Sequence, residues 1–243
     1  MFVVCHMLSS LDGRIDGAFF SAPETAPAVA AYGNLRGYYH CQATLYGTTT
    51  MLGGYADGPA PALPETGAGA ESGLSLNDYV NPEGKALENY IVSVDPLGSL
   101  GFQGPVLEKK GRPAAHVIQV LTSRVSPAYL AYLAYLRDLG ISWVIAGDQT
   151  LDCALLLDKL EEKFSIQRLM VAGGGITNWS FLSQGLLDEL SLVLAPAADG
   201  DCSAVSTFAR PDFLPARGPA GFSLLGAETV APDVLWLRYQ VKT

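Results

Sequence analysis

The chain has 243 residues, of which 49% are hydrophobic and 16% are charged, and its formal net charge is −9 at pH 7. This acidic balance argues against a nucleic-acid-binding surface, which needs clustered Lys and Arg. No apolar run is long enough to cross a bilayer, and residues 1–14 lack the basic start and cleavage site of a secretory signal. We therefore expect a cytoplasmic protein without a membrane partner.

Six short apolar runs, each bounded by turn residues, predict buried parallel strands. They cover residues 2–8, 42–47, 89–94, 116–122, 141–147 and 167–172. Near the C-terminus, "GFSLLGAETV" and "VLWLRYQVK" have no helix between them. We expect these two runs to pair antiparallel at one side of the sheet.

Helical patterns lie between several of these strands. In residues 126–140, Ser126 is a natural N-cap, Pro127 takes the first helical position and Gly140 closes the helix. Residues 152–164 carry a second apolar helical face. Strands that alternate with helices imply right-handed crossovers and a mostly parallel sheet.

One segment, residues 58–73, mixes Pro, Gly and Ala without periodicity. This composition predicts a mobile loop, with a linker between two domains as the alternative. The four cysteines lie far apart without CxxC or CxxH spacing. We therefore expect reduced, mostly buried thiols and no metal site.

Three adjacent glycines, Gly173, Gly174 and Gly175, stand between a predicted strand and a predicted helix in "VAGGGITNWSFLSQGLLDEL". Free N–H groups at a helix start suit a phosphate, and missing Cβ atoms let it approach the backbone. Thr177 or Asn178 is expected to cap this helix. The alternative is a tight turn whose glycines allow close packing.

Two other predicted strand ends also carry groups that suit a phosphate. Gly47 is followed by the hydroxyls of residues 48–50, and the strand in "VLTSR" ends in Thr122 and Ser123 with Arg124 beside them. Hydroxyls donate hydrogen bonds, and a guanidinium pairs with an anion. Three such strand ends suggest a dinucleotide across the carboxyl edge of one sheet.

The motifs "SSLDGRIDG", "LYGTTT" and "VAGGGITNWSFLSQGLLDELSLVLAP" resemble the reductase domain of riboflavin biosynthesis, which is similar in fold to dihydrofolate reductase. The resemblance spans nearly the whole chain. It implies one three-layer α/β domain over residues 1–243, with a mostly parallel central sheet and antiparallel C-terminal strands. It also implies NADPH as hydride donor, a small pyrimidine or pteridine substrate, and a homodimer.

The resemblance assigns the cofactor site by position. Phosphates would contact the residues after the strand ends, and the loop from Ser9 to Asp16 would lie beside the nicotinamide. The implied cofactor-binding residues are Ser9, Asp16, Gly47, Thr48, Thr50, Leu121, Thr122, Ser123, Arg124, Gly147, Gly173, Gly174, Gly175 and Ile176.

Two side chains are candidates for proton transfer. His6 stands in the first strand, where an imidazole could donate a proton near neutral pH; a buried, satisfied histidine is the alternative. Asp12 lies in the "SLDGRI" turn, where it could instead stabilise the turn, since Asp before Gly is common turn chemistry.

Two departures from the family pattern leave the substrate open. Ala172 stands where the family commonly has Glu, and "MLGGYADGPAPALPETG" replaces an acidic pair and a Leu-Thr-x-Arg segment that helps hold the substrate's ribose phosphate. These changes motivate a second hypothesis, a catalytically inactive NADP(H)-binding sensor or interaction module.

Overall fold

A computed structural model of the chain describes residues 1–63, 77–123 and 127–242. Its strands are β1 (Phe2–Ser9), β2 (Ala43–Gly47), β3 (Tyr90–Val94), β4 (Val106–Leu107), β5 (Ala115–Leu121), β6 (Ser142–Ile145), β7 (Arg168–Val171), β8 (Glu189–Leu194), β9 (Phe222–Ala231) and β10 (Val234–Val241). Its α-helices are α1 (Ala26–Leu35), α2 (Thr48–Leu52), α3 (Pro82–Lys85), α4 (Pro127–Asp138), α5 (Cys153–Phe164) and α6 (Gly175–Ser183). Short 3₁₀ turns flank α1.

The chain divides into two compact units, unit 1 (residues 1–41 and 167–243) and unit 2 (residues 42–166). In unit 1 the strand order is β7-β1-β8-β10-β9. β1 is parallel to β7 and β8, and β10 is antiparallel to β8 and β9. β1 is buried along almost its whole length, as expected of an apolar strand covered on both faces.

Unit 2 is organised around β5. One edge of β5 pairs in parallel with β3, which pairs in parallel with β2. The other edge pairs in parallel with β6 and, at its start, antiparallel with β4. Asp152 caps α5 by accepting a hydrogen bond from the Leu155 N–H at 2.9 Å, and Leu156, Leu160 and Phe164 bury its apolar face.

The predicted alternation of strands and helices is confirmed, with strand ends within two residues of those expected. The two C-terminal runs form the antiparallel hairpin β9–β10. Ser126 and Arg124 lie outside the described residues, as do residues 64–73 of the predicted loop. That residues 1–243 form one domain stays a prediction.

The first part of the predicted loop is held by hydrogen bonds. The Ala60 N–H donates to Ser99 O at 2.7 Å, and the Gly101 N–H donates to Gly58 O at 2.9 Å. Residues 58–60 are therefore paired with residues 99–101, a long-range contact that a local pattern without periodicity does not reveal. That residues 58–73 form a mobile loop stays a prediction.

Two further expectations concern cysteines and membranes. All four cysteines are free thiols, but only Cys5 and Cys153 are buried; Cys202 is exposed. Within the described ranges, no helix is long and apolar enough to cross a membrane. The same ranges contain no group of three His, Cys, Asp or Glu side chains placed to hold a metal ion.

Candidate active site

Three strands of unit 1 end at the same edge of its sheet. β1, β7 and β8 are parallel, so the segments that follow Ser9, Val171 and Leu194 leave from one side. Ligands of α/β proteins bind beyond the carboxyl ends of such strands. The glycine segment and the loop from Ser9 to Asp16 therefore lie where the sequence places a cofactor.

The glycine segment forms the start of α6. Gly174 is the N-cap with φ +75°, in the left-handed region that favours glycine, and α6 begins at Gly175. Among the described residues no side chain caps this helix. The N–H groups of its first turn have no acceptor within the helix, so this end carries a partial positive charge.

The predicted cap of α6 is wrong. Thr177 and Asn178 lie inside the helix rather than before it. Asn178 is fully buried, and its Nδ2 donates to Thr207 O at 2.8 Å. Its side chain therefore anchors the segment after β8, a long-range role that the local Thr-Asn pattern does not reveal.

Close packing explains why residue 175 is a glycine. A Cβ at this position would meet the Ser206 carbonyl oxygen, and it would lie 3.0 Å from the Ala209 Cβ. The Gly175 carbonyl also accepts the Ala209 N–H at 3.0 Å. The chain itself fills the space left by the missing side chain, so the packing alternative holds at Gly175. At Gly174 a Cβ would meet only the Thr177 hydroxyl, at 3.5 Å.

Asp12 binds two backbone loops together. Its carboxylate accepts hydrogen bonds from the Ser10 hydroxyl and from the N–H groups of Asp199 (3.0 Å) and Gly200 (2.9 Å). These bonds, with the Ser10 hydroxyl foremost, hold the pKa of the Asp12 carboxyl well below its usual range. Asp12 is therefore ionised near neutral pH, which favours a positioning role over the predicted proton donation.

Other residues of this loop have simple local roles. The Ser9 hydroxyl is buried and donates to Ser10 O at 2.8 Å. Asp16 is exposed and accepts the Gly17 N–H at 2.9 Å. Arg14 donates to Ala204 O at 2.8 Å, which ties the loop to the segment after β8. Of the predicted cofactor contacts here, Asp16 and Ile176 have exposed side chains.

His6 is fully buried in β1 and stacks on Tyr32, with ring centroids 4.5 Å apart. Its Nε2 lies 3.0 Å from Tyr32 O; a carbonyl only accepts, so Nε2 carries the proton. Nδ1 then accepts from the Ser191 hydroxyl at 2.8 Å, and that oxygen accepts the Trp236 indole N–H at 2.8 Å.

Burial lowers the pKa of His6 to about 4. Both ring nitrogens are occupied within unit 1, so His6 has no proton to give to a ligand near neutral pH. This geometry corrects the catalytic prediction and favours the alternative, a satisfied core histidine. No local sequence pattern pairs His6 with Ser191, which lies on β8.

Unit 2 contains the remaining predicted cofactor residues. Gly47 ends β2 and is the N-cap of the short helix α2. The Thr48 hydroxyl donates to Val94 O at 2.9 Å, so it links the ends of β2 and β3. Thr50 lies in α2 with a half-buried side chain. The hydroxyl of Thr48 is thus already engaged as a donor.

The hydroxyl groups at the end of β5 are also hydrogen-bonded within the protein. Leu121 and Thr122 are fully buried, and the Thr122 hydroxyl donates to Pro96 O at 2.9 Å. The Ser123 hydroxyl donates to the exposed Asp148 carboxylate at 2.9 Å, and the Ser123 N–H donates to Gly147 O. Asp148, in the segment "IAGDQT" after β6, is a candidate cofactor-binding residue that the sequence analysis did not identify.

Gly147 has φ +116°, and a Cβ there would meet the Thr150 carbonyl oxygen. Its conformation and close contact explain the glycine without a ligand. Arg124, the predicted cation beside Ser123, lies outside the described residues.

Comparison with known proteins identifies the family. The chain matches the RibD C-terminal domain over residues 1–236. Two proteins named "2,5-diamino-6-ribosylamino-4(3H)-pyrimidinone 5′-phosphate reductase" are similar in part. The one from Methanothermobacter thermautotrophicus is 42% identical over 57 residues, 24% of this chain and 26% of that protein. The one from Aquifex aeolicus is 30% identical over 89 residues, 33% and 39% of the two chains. The matched regions span less than half of either relative.

Solved structures show the same fold. A pyrimidine reductase-like protein from Corynebacterium diphtheriae superposes with a TM-score of 0.68 at 18% identity, covering 100% of this chain and 92% of that one. RibD from Acinetobacter baumannii gives 0.64 at 20% identity, covering 99% and 58%. The predicted α/β fold with mostly parallel strands is confirmed. Since the family match spans nearly all of its length, the chain belongs to the RibD C-terminal domain family.

Proposed function

We propose that the chain is an NADPH-dependent reductase of a ribosylaminopyrimidine phosphate. The names of the partial relatives support this substrate class. The structural observation that carries the proposal is the start of α6, an uncapped helix N-terminus at the carboxyl edge of β1, β7 and β8. Such a terminus is a ready anion site.

The residues at the start of α6 fit a nucleotide phosphate. The N–H groups of Gly174, Gly175 and Ile176 would donate to it, and no acidic residue stands in the described first turn of the helix. A Cβ at Gly174 would make only one ordinary contact, with the Thr177 hydroxyl at 3.5 Å. When bound, NADPH would supply a hydride to a C=N or C=O carbon of the substrate.

The protein's own part is to position the reactants. Asp12 and Asn178 fix the loops around the start of α6, which keeps its N–H groups in place. Neither His6 nor Asp12 is suited to donate a proton near neutral pH. We therefore expect the proton to come from water or from the substrate's own groups.

Nucleotide binding is the first test of the proposal. Thermal shift and tryptophan fluorescence compare NADPH with NADH, and NADPH should change both signals at concentrations where NADH has little effect. If neither nucleotide binds, or if NADH binds as tightly as NADPH, the proposal is overturned.

A matched pair of glycine variants tests the site. Gly174 and Gly185 have φ +75° and +72°, at the start and just beyond the end of α6, and both have room for a Cβ. Alanine at either position should cost about 1 kcal/mol of stability, because the left-handed conformation is strained. Only Gly174→Ala should weaken NADPH binding, by about tenfold. Equal affinities in the two variants would contradict the proposed phosphate site.

The inactive binding module is the second hypothesis, because Ala172 and residues 51–73 depart from the family pattern. The reductase names of the relatives favour an active enzyme. NADPH oxidation with the ribosylaminopyrimidine phosphate, pterins and flavins distinguishes the two. Turnover of any of these substrates removes the inactive module.

We also propose that the chain forms a homodimer in the cytoplasm through β9. This strand is the edge of the unit 1 sheet, and Leu224 and Leu225 on it are 59% and 49% exposed. An exposed apolar edge strand is suited to pairing with a second copy. Light scattering should give twice the monomer mass for the wild type and the monomer mass for Leu224→Lys. With a net charge of −9, we propose no nucleic-acid partner.

A further inference from the structure

A short segment of unit 2, residues 77–81, covers the outer edge of β6, and we call it the edge strap. β6 pairs with β5 on one side and with no other strand among the described residues. On the other side, Tyr79 and Trp143 form an isolated antiparallel bridge, in which each N–H donates to the other's carbonyl oxygen at 2.9 Å. Their rings pack with centroids 4.7 Å apart. The strap therefore contributes one residue of true strand pairing.

An ion pair covers the next position of the edge. The Asp78 carboxylate accepts the Ile145 N–H at 2.8 Å, and Lys159 Nζ, from α5, donates to Ile145 O at 2.8 Å. Lys159 and Asp78 also form a salt bridge at 2.9 Å, and Lys163 adds a second cation at 3.4 Å. The carboxylate and the ammonium group thus take the place of the C=O and N–H of a neighbouring strand.

Both ends of the strap are bound to the same edge. The Trp143 indole N–H donates to Asn77 O at 3.0 Å. The Asn81 N–H donates to the Ser142 hydroxyl at 2.9 Å, and Asn81 Nδ2 donates to Gly140 O at 2.7 Å. The strap therefore closes the edge from residue 140 to residue 145. Most of its bonds involve side chains, so single substitutions can remove them.

The sequence of β6 explains why this edge needs a cover. Residues 141–146 read "ISWVIA", with no charged residue, proline or glycine and with β-branched and aromatic side chains. Segments of this kind pair readily with copies of themselves. An open edge would present unpaired N–H and C=O groups as a template for that pairing. The most direct partner is β6 of a second copy, paired antiparallel about a two-fold axis.

We infer that the edge strap prevents β6 from pairing with β6 of a second copy, and that Asp78 is the clasp that keeps the strap closed. The inference goes beyond the proposed function, since the strap and its contacts include none of the proposed cofactor-binding residues. It also concerns a different strand from β9, through which we propose the homodimer.

Hydrogen exchange of the outward-facing amides of β6, followed by NMR, tests the clasp. Asp78→Ala should speed exchange at Trp143 and Ile145 by about tenfold or more, because the strap loses its ion pair and Ile145 loses its acceptor. Asp78→Asn keeps an acceptor for the Ile145 N–H, so its increase should be smaller. Asp158→Ala is the matched control, because Asp158 is exposed on α5 and makes no hydrogen bond or ion pair among those described. Its exchange should stay at the wild-type rate.

Light scattering tests the pairing that the strap prevents. Asp78→Ala and Asp158→Ala are compared in the Leu224→Lys background, so that association through β9 does not contribute. The mass of the Asp78→Ala protein should rise with concentration, and that of the control should not. Exchange at Trp143 and Ile145 should slow again in concentrated Asp78→Ala, because a second β6 then takes the place of the strap.

Three outcomes would overturn the inference. Unchanged exchange in Asp78→Ala would show that Asp78 does not hold the strap. Faster exchange without a rise in mass at any concentration would show that the strap does not guard against pairing. A rise in mass with residues 141–146 unprotected would place the association elsewhere. If Asp78→Ala does not fold, the same measurements on Asp78→Asn decide. None of them uses NADPH or a substrate, so their result is separate from that of the proposed function.

Discussion

Polar side chains are used in two ways in the two units. In unit 1, Asp12 and Asn178 bind backbone groups of neighbouring loops, and their side chains are engaged within the protein. In unit 2, the hydroxyls of Thr48 and Thr122 are engaged in the same way. The side chains of Arg112 and Lys109, by contrast, contact only phenol groups among the described residues. Asp12 and Asn178 therefore hold the backbone in place, whereas Arg112 and Lys109 present charge.

This difference decides what a substitution should do in each place. A change in unit 1 should act through packing and backbone strain, and ligand binding should suffer because the loops move. A change of the exposed Arg112 or Lys109 in unit 2 should leave the fold intact and alter only the charge at the surface. Variants of both kinds can be compared in one denaturation and binding assay.

The largest expected effect is that of Gly175→Ala. The added Cβ would clash with the Ser206 carbonyl oxygen, a backbone atom that cannot move away by a side-chain rotation. Overpacking of this kind should lower the free energy of unfolding by about 3 kcal/mol, against about 1 kcal/mol for Gly174→Ala. Urea denaturation measures both values. Equal losses would show that residues 205–209 give way easily, and the view of unit 1 as a fixed backbone scaffold would then fail.

Local pattern was sufficient for most of the fold. Apolar runs between turn residues located β1, β2 and β5, and Asp152 was placed correctly at the start of α5. These features depend on neighbours in sequence, such as the capping bond to Leu155. The start of α6 was misjudged because Asn178 is committed to Thr207, a contact outside its own helix.

The site was harder to predict because its bonds join distant residues. The apolar run at residues 2–8 placed His6 in the first strand, but its partner Ser191 lies 185 residues away. Arg112 lies 66 residues from Tyr46 and 57 from Tyr55, and no spacing rule links them. A basic run in an acidic chain was the one available signal for Arg112.

The second effect is a pH dependence of stability from His6. Its pKa is about 4 in the folded protein and about 6.5 when unfolded. As the pH falls from 6.5 to 4, the unfolded chain therefore takes up a proton that the folded chain does not, and stability decreases. Above pH 6.5 this contribution is constant.

Replacing His6 with Asn should remove about 1 kcal/mol per pH unit from the slope of unfolding free energy near pH 5.5. His116, whose pKa burial also lowers to about 4, preserves part of the slope in this variant. His40→Asn is the control, because His40 is exposed and its φ of 47° suits Asn. A slope unchanged by His6→Asn would mean that this ring is not a neutral part of the unit 1 core.

The smallest effect is expected for Arg112→Lys in unit 2. Lysine keeps the charge, but it lacks the planar guanidinium whose NH1 bonds both phenols. Because Arg112 is exposed, the free energy of unfolding in urea should change by less than about 0.5 kcal/mol. A loss as large as that of Gly175→Ala would show that the bonds to Tyr46 and Tyr55 hold the fold of unit 2 together, and the contrast between the two units would then fail.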